Sequence, residues 1–376
     1  MQSSICFDDI TLDYQETEGI KYIGSKLKII PHILKLAKQI NAKTVVDGFS
    51  GSTRVSQSFA QLGYTVVSND IAVWSEVFGQ CYLMNNRGYQ EYQDLIDHLN
   101  SLTPIDGWFS ENYGGIVEKT TSHQPDGLKK PWQLHNTRKL DAIREEIDRL
   151  NLSRIDKSVA LTSLILALDK VDSTLGHFVS YLSDWSPRSY NNLHLKVPKL
   201  VPNNGQHSVL RGDVFDILPL VEVDLAYFDP PYGSNNEKMP PSRVRYTSYY
   251  HVWTSICLND RPSLFGKAKR RVDSSDTVSS SVFEDFRKDE NNRYIAVEAI
   301  DKLLNLVQAK WVILSYSSGG RATAEDLNLV IGSHGKLLDV VEIDYRKNVM
   351  AEMRWKNEWL RDVDSPNREF LFLIEK

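Results

Sequence analysis

The chain predicts an α/β fold of the doubly wound type, and three observations carry that expectation. Thr44-Val45-Val46-Asp47 and Tyr64-Thr65-Val66-Val67-Ser68 are short strand patterns flanking a tight turn and a helix-like stretch, Arg54–Leu62, stopped by Gly63. That strand–turn–helix–strand order opens a sheet covered by helices on both faces. The apolar run Val223-Asp224-Leu225-Ala226-Tyr227-Phe228 reads as a buried strand and ends in Asp229-Pro230-Pro231-Tyr232.

Taken in order, residues 1–20 form an acidic leader containing Asp8, Asp9, Asp13, Glu16 and Glu18. It lacks a basic segment followed by an apolar one, which argues against a signal peptide. Lys26–Ile40 carries apolar residues at Leu27, Ile30, Ile33, Leu34, Leu36 and Ala37, a helical spacing with Pro31 tolerated near its start. Ala72–Asn85 is expected to be helical. The character changes from about Tyr89 to Val201, with an aromatic, glycine-containing loop (Trp108, Phe109, Tyr113, Gly114, Gly115) and helices near Arg138–Leu150 and Ile155–Asp169. Gly176–Leu182 reads as an extended aromatic stretch. The sheet resumes with Ser208–Leu210, Leu225–Asp229, Trp311–Tyr316, Lys336–Tyr345 and Glu369–Ile374.

These patterns divide the chain into a core of residues 19–88 and 205–376 and a mainly helical insertion, 89–204. The stretch 233–293 is polar, basic and serine-rich, and is expected as a long loop, of a kind that is usually functional.

At 376 residues, 41% hydrophobic and 25% charged, the composition is that of a globular protein with a full core. No apolar run reaches the length of a membrane span, so no membrane partner is expected. Cys6, Cys81 and Cys257 are far apart and show no metal-ligand spacing, so no metal is expected and a reducing, cytoplasmic compartment is the simplest inference. A net charge of −5 does not by itself suggest nucleic acid. Any positive field must be local: Lys267-Ala268-Lys269-Arg270-Arg271, Arg243 with Arg245, Lys129 with Lys130, or Arg138 with Lys139.

Asp229-Pro230-Pro231-Tyr232 is the most informative motif. Two prolines offer carbonyl acceptors without competing N–H groups, between a carboxylate and an aromatic ring. Such a turn suits an exocyclic amine on a planar heterocycle. Asp47-Gly48-Phe49-Ser50-Gly51-Ser52 follows a strand and opens a helix, where backbone N–H groups can meet a ligand carboxylate or phosphate. Thr53 and Arg54 depart from a dinucleotide-binding glycine pattern. Asp70 ends the second strand 23 residues after Asp47, a spacing suited to ribose hydroxyls. Arg211-Gly212-Asp213-Val214-Phe215 places another carboxylate at a strand end, and Lys21-Tyr22-Ile23-Gly24-Ser25-Lys26 sets an aromatic and two lysines before a helix. Each motif alone also has an ordinary structural reading as a turn or a helix entry.

In this order the motifs resemble the D12 class of DNA adenine-N6 methyltransferases (Dam-like, α-group order). The resemblance covers roughly residues 19–75 and 207–376, and implies a Rossmann-like methyltransferase sheet using S-adenosylmethionine. Tyr22 and Lys26 would then approach the methionine part of that cofactor. The Asp47–Ser52 turn would cradle it, with Phe49, Ser50 and Gly51 lining its carboxylate and ribose. Asp70 would hold the ribose hydroxyls, with Ile71 against the adenine ring, and Asp213 and Val214 would meet the edge of that ring. Asp229 and the Pro230 carbonyl would bind the target amine, and Tyr232 would stack on the target base. Thr53 stands where many relatives have a second glycine, and Tyr22 where many have tryptophan.

The resemblance implies a site-specific enzyme acting on double-stranded DNA, with the target adenine flipped from the helix. A cognate restriction endonuclease is the partner suggested by analogy. Other readings are an RNA or cytosine-N4 methyltransferase and a non-catalytic DNA-binding subunit.

Overall fold

The computed structural model describes residues 14–117, 120–201, 206–233, 245–275, 281–290, 292–344 and 368–376. Most of the acidic leader, Arg243 and part of the 233–293 stretch lie outside them.

Among the described residues, seven strands form one sheet: β1 Thr44–Asp47, β2 Thr65–Asp70, β3 Ser208–Arg211, β4 Glu222–Phe228, β5 Gln308–Ser317, β6 Lys336–Asp344 and β7 Arg368–Glu375. Their spatial order is β6-β7-β5-β4-β1-β2-β3. Six strands point the same way, and only β7, between β5 and β6 and antiparallel to both, is reversed. All the expected strands of this sheet form, with ends shifted by a few residues. The strand order reverses between β1 and β4, and in an open α/β sheet a ligand crevice lies at the carboxyl ends of the strands there.

Helices cover both faces. Helix α1 (Ile30–Lys38) and helix α2 (Arg54–Gln61) pack on one, where Ile33, Leu34 and Phe59 meet Val45, Val66, Leu225 and Leu373. Helix α8 (Ile295–Leu306) and helix α9 (Ala324–His334) cover the other through Val297, Ile300, Leu303 and Val330 against Val46, Ala226, Val312 and Leu314. Central strands buried on both faces explain the unbroken apolar runs in β1, β4 and β5. Each buried Val, Leu or Ile stabilises the fold by roughly 1.5–3 kcal/mol.

A third core belongs to the region between β2 and β3. It gathers helix α3 (Val73–Gly79), α4 (Gln90–Ser101), α5 (Leu134–Arg149) and α6 (Arg154–Lys170). Helix α6 is buried over most of its circumference, from Ser158 to Leu168, and Ser153 caps its start by accepting from the Asp156 N–H at 3.2 Å. Helix α7 (His251–Leu258) joins this core through Val252, Trp253 and Ile256.

Several sequence expectations change here. Helix α1 starts at Ile30 rather than Lys26, because Lys26 turns its side chain into a buried cluster and only its carbonyl serves the helix start. Gly176–Leu182 forms no strand. Its backbone instead docks on the 245–258 segment through the Phe178 N–H and the Tyr249 carbonyl, at 2.8 Å. The described part of 233–293 is no long loop. It carries α7, a small hairpin (Leu264–Phe265 with Arg270–Arg271) and short helical turns, folded by the aromatic residues that a reading of overall polarity hides. Helices α4, α8 and α9 are further elements beyond those expected.

Candidate active site

Strand register brings the motifs together. Asp47 pairs with Ser68 on one side and Tyr227 on the other, and Asp70 pairs with Arg211. Asp47, Asp70 and Asp229 therefore all lie at the carboxyl edge of the sheet, the last just beyond β4.

The Gly48–Ser52 turn is held from below. The Gly48 N–H donates to the Tyr227 carbonyl at 3.1 Å, and the Ser50 N–H to the Asn69 carbonyl at 2.9 Å. Gly51 sits at φ +47°, the left-handed region, and a Cβ there would lie 3.2 Å from the Tyr22 hydroxyl oxygen. Thr53 follows in the same region, at φ 60°, although it carries a side chain. The Ser50 hydroxyl pairs with that of Ser75 at 3.0 Å, and Ser52 is buried. Phe49 packs edge-on against Phe283, with centroids 5.2 Å apart.

Asp70 ties this turn to the next element. One carboxylate oxygen accepts from the Gly51 N–H at 2.8 Å and the other from the Ala72 N–H at 2.9 Å. Burial raises its pKa, while those amides oppose the rise. Ile71, beside it, is 69% exposed. Asp47 lies deeper. It accepts from the Ser56 hydroxyl at 2.6 Å, and burial pushes its pKa up to about 7 against that bond, helped by Asp229 and Asp70. Its side chain therefore braces the turn from within.

Asp213 caps the short helix Val214–Ile217 by accepting from the Phe215 N–H at 2.9 Å, and Val214 packs into the core. Both side chains are thus used within the fold. Tyr22 lies at the centre of an aromatic group, stacked on Tyr250 at 4.9 Å and tilted against Trp74 and Tyr246.

The turn after β4 is occupied from within. Lys26 Nζ lies 3.0 Å from Asp229 Oδ1 and 2.7 Å from Glu369 Oε1, and is buried. The Tyr232 hydroxyl donates to Asp229 Oδ1 and also lies 2.5 Å from Glu369 Oε1. Ser315 donates to the same Glu369 oxygen at 2.7 Å. Burial raises the Asp229 pKa to about 6, with Lys26 opposing and Glu369 adding to the rise. Burial alone would depress Lys26, yet the two carboxylates hold it above the ordinary lysine value. Lys26, expected near a ligand carboxylate, is committed to carboxylates of its own chain. Tyr232 turns inward, its ring 4.8 Å from that of Tyr316.

A sequence profile of the D12 class N6 adenine-specific DNA methyltransferases matches residues 22–308. The chain belongs to that family. It is similar to the modification methylase StsI of Streptococcus sanguinis, 27% identical over 87% of this chain and 48% of that protein. The type II methyltransferase M.FokI of Planomicrobium okeanokoites is 23% identical over 95% of this chain and 53% of its own. M.NlaIII of Neisseria lactamica is 24% identical over 95% of this chain and 99% of its own. The chain spans about half the length of the StsI and FokI proteins. A family of methyltransferases implies a methyl donor, and D12 membership accounts for the shared order of the motifs.

Glu369, Ser315, Trp74 and Tyr250 join the site without having been singled out as site residues. The signal for Glu369 was present in the sequence: a carboxylate inside the apolar strand Glu369-Phe370-Leu371-Phe372-Leu373-Ile374 demands a partner once buried. Among the described residues no helix is long and apolar enough to cross a membrane, and no group of histidine, cysteine and carboxylate side chains could hold a metal.

Proposed function

We propose that this protein transfers a methyl group from S-adenosylmethionine to the N6 amine of a flipped adenine within a specific sequence of duplex DNA. The observation that carries the reading is the convergence, at one sheet edge, of the Gly51 turn, Asp70 with Ile71, and the Asp229–Tyr232 corner.

The residues present fit that cofactor. A side chain at Gly51 would press on the Tyr22 ring, so glycine lets the turn pack tightly beside Tyr22 and Asp70. Asp70 beside exposed Ile71 offers a hydroxyl acceptor next to an apolar platform, as a nucleoside requires. The Asp229 and Glu369 carboxyl groups both face the one ammonium of Lys26 at this corner. When bound, the cofactor supplies a methyl group already activated by a sulfonium charge. Tyr22, Phe49, Ser50, Gly51, Ser52, Asp70 and Ile71 are the residues assigned to hold it, with Asp213 and Val214 acting through the backbone; Lys26, paired with Asp229 and Glu369, serves the target-base corner instead.

The chain then has to position a poor nucleophile. The N6 lone pair of adenine is delocalised into the ring. Donating its N–H groups to Asp229 and to the Pro230 carbonyl localises density on nitrogen and aims it. Asp229 need not be a strong base, because the methylated amine is acidic and sheds its proton readily. A base inside a duplex cannot reach this corner, so it must swing out, and Tyr232 would turn from its packing on Tyr316 to replace the lost stacking. Residues 89–204 and 233–293 are assigned to DNA and target recognition, and the enzyme to the cytoplasm, where a restriction endonuclease of matching specificity would accompany it.

Tritiated S-adenosylmethionine offered with unmethylated DNA, RNA and protein tests the reading. Label is expected in DNA as N6-methyladenine. Label confined to RNA or protein, or in DNA as N4-methylcytosine, rejects it.

A further inference from the structure

Glu369 stands outside the residues assigned above, yet a single oxygen of its side chain lies within hydrogen-bonding distance of groups from three parts of the fold. These are Lys26 Nζ at 2.7 Å, the Tyr232 hydroxyl at 2.5 Å and Ser315 Oγ at 2.7 Å. The residue is 6% exposed, so these contacts satisfy its side chain in the interior. Two of the donors, Lys26 and Tyr232, also engage Asp229, and both do so at Oδ1. Asp229 and Glu369 therefore share one ammonium and compete for the one proton of the Tyr232 hydroxyl.

That sharing matters to a carboxylate that must accept a substrate N–H. Were Asp229 the only acceptor in reach, the ammonium and the phenol would both fasten on it and compete with an incoming amine. A second carboxylate beside them provides an alternative. Tyr232 can give up its bond to Asp229 and keep an acceptor. Lys26 stays close enough to favour the ionised form of Asp229 without being wholly drawn onto it. Ser315, on the central strand β5, fixes the orientation of the Glu369 carboxylate.

We propose that Glu369 is a positioning residue that holds the Lys26 ammonium and receives the Tyr232 hydroxyl, so that Asp229 is released to bind the amine of the target base. This inference rests on the proposed function and deepens it.

The test compares the wild type with Glu369→Gln, Tyr232→Phe and the double variant, all as the full chain. Methyl transfer to unmethylated DNA gives kcat and KM, and titration with S-adenosylmethionine without DNA gives cofactor affinity. Glu369→Gln keeps the shape and a hydrogen-bond acceptor but loses the charge. It is expected to lower kcat by about 10- to 100-fold, the scale of a misplaced reacting group. Cofactor affinity should stay within about threefold, half a decade, or less than 1 kcal/mol. The double variant should be several-fold more active than Glu369→Gln alone, because removing the phenol hydroxyl removes one competitor for Asp229. A purely structural role would predict the opposite, a further loss.

An unchanged kcat in Glu369→Gln overturns the proposal, as does a double variant no better than the single one. A parallel collapse of cofactor binding and kcat makes Glu369 structural and also overturns it. Failure of the wild type to label DNA at all is a different result, since it removes the proposed function itself.

Discussion

The Lys26 ammonium lies 3.0 Å from the Asp229 carboxylate, joining the segment before α1 to the turn after β4 inside the protein. Two carboxylates, Asp229 and Glu369, depend on that one cation. Lys26→Met leaves them facing each other in a buried space. Breaking a buried pair in this way typically costs roughly 3–5 kcal/mol, because the remaining charge is uncompensated. A lower melting temperature is expected. The acid limb of the pH–activity profile should also move to higher pH, since Asp229 loses the cation that opposes its raised pKa. A melting curve and a pH series on the same variant check both, and an unshifted acid limb contradicts the assigned pairing.

In the wild type, Asp229 supplies its own pH signature. Burial and Glu369 raise its pKa to about 6, with Lys26 resisting, and the other charges and phenols facing it are Tyr232, Tyr22, Asp47, Tyr227 and Tyr246. Only the ionised carboxylate accepts both the ammonium and an amine N–H. Activity should therefore be full above that value and fall as the pH drops through about 6. Asp229→Ala should abolish transfer at every pH while S-adenosylmethionine still binds. Initial rates from pH 5 to pH 8, with cofactor titration as control, decide the matter. Near-normal turnover in Asp229→Ala would remove Asp229 from the reaction.

Gly51 and Gly63 separate backbone strain from site disruption. Both occupy the left-handed region, at φ +47° and +86°, so alanine at either is expected to cost on the order of 1–2 kcal/mol. They differ in surroundings. A Cβ at Gly51 meets the Tyr22 ring, itself packed by Trp74 and Tyr250, whereas nothing lies within 4 Å of one at Gly63. Gly51→Ala and Gly63→Ala should lower the melting temperature alike, but only Gly51→Ala should weaken S-adenosylmethionine binding, as read by calorimetry. Equal cofactor affinity in the two variants would place the ligand elsewhere.

The strands and the carboxyl-edge motifs were legible because buried parallel strands write themselves as apolar runs ending in short polar turns. Asp47, Asp70 and Asp229 each stand at the end of a strand pattern, and the strand register brings those ends to one edge. What stayed hidden depends on contacts distant in sequence. Helix α7 lies in a polar stretch and folds because Trp253 finds Trp132 and Phe178, residues far upstream. The commitment of Lys26 to Glu369 joins opposite ends of the chain, and no local spacing encodes it. The inward turn of Tyr232 likewise follows from the placement of Ser315 and Glu369, not from its own motif.

The basic run Lys267–Arg271 shows how structure sorts charges of one sign. Arg271 is buried and bonds both carboxylate oxygens of Asp260 at 2.7 Å, as well as Asp273 at 2.7 Å. Arg270 donates to the Ser274 carbonyl at 2.7 Å and lies over the Phe265 ring. Lys267 is instead exposed at the hairpin turn, whose backbone is fixed by the Tyr181 and Tyr113 hydroxyls donating to the Ala268 and Lys269 carbonyls at 2.8 Å. If this hairpin meets DNA, Lys267→Ala should reduce the slope of log affinity against log salt by about one, since each phosphate contact releases about one counterion. Its melting temperature should not move. Arg271→Ala should do the reverse, losing roughly 1.5–3 kcal/mol of stability with its charged hydrogen bonds and leaving the salt slope unchanged. Fluorescence anisotropy on duplex DNA at several salt concentrations, beside melting curves, distinguishes the two. A Lys267→Ala slope equal to that of the wild type would take the hairpin out of the DNA interface.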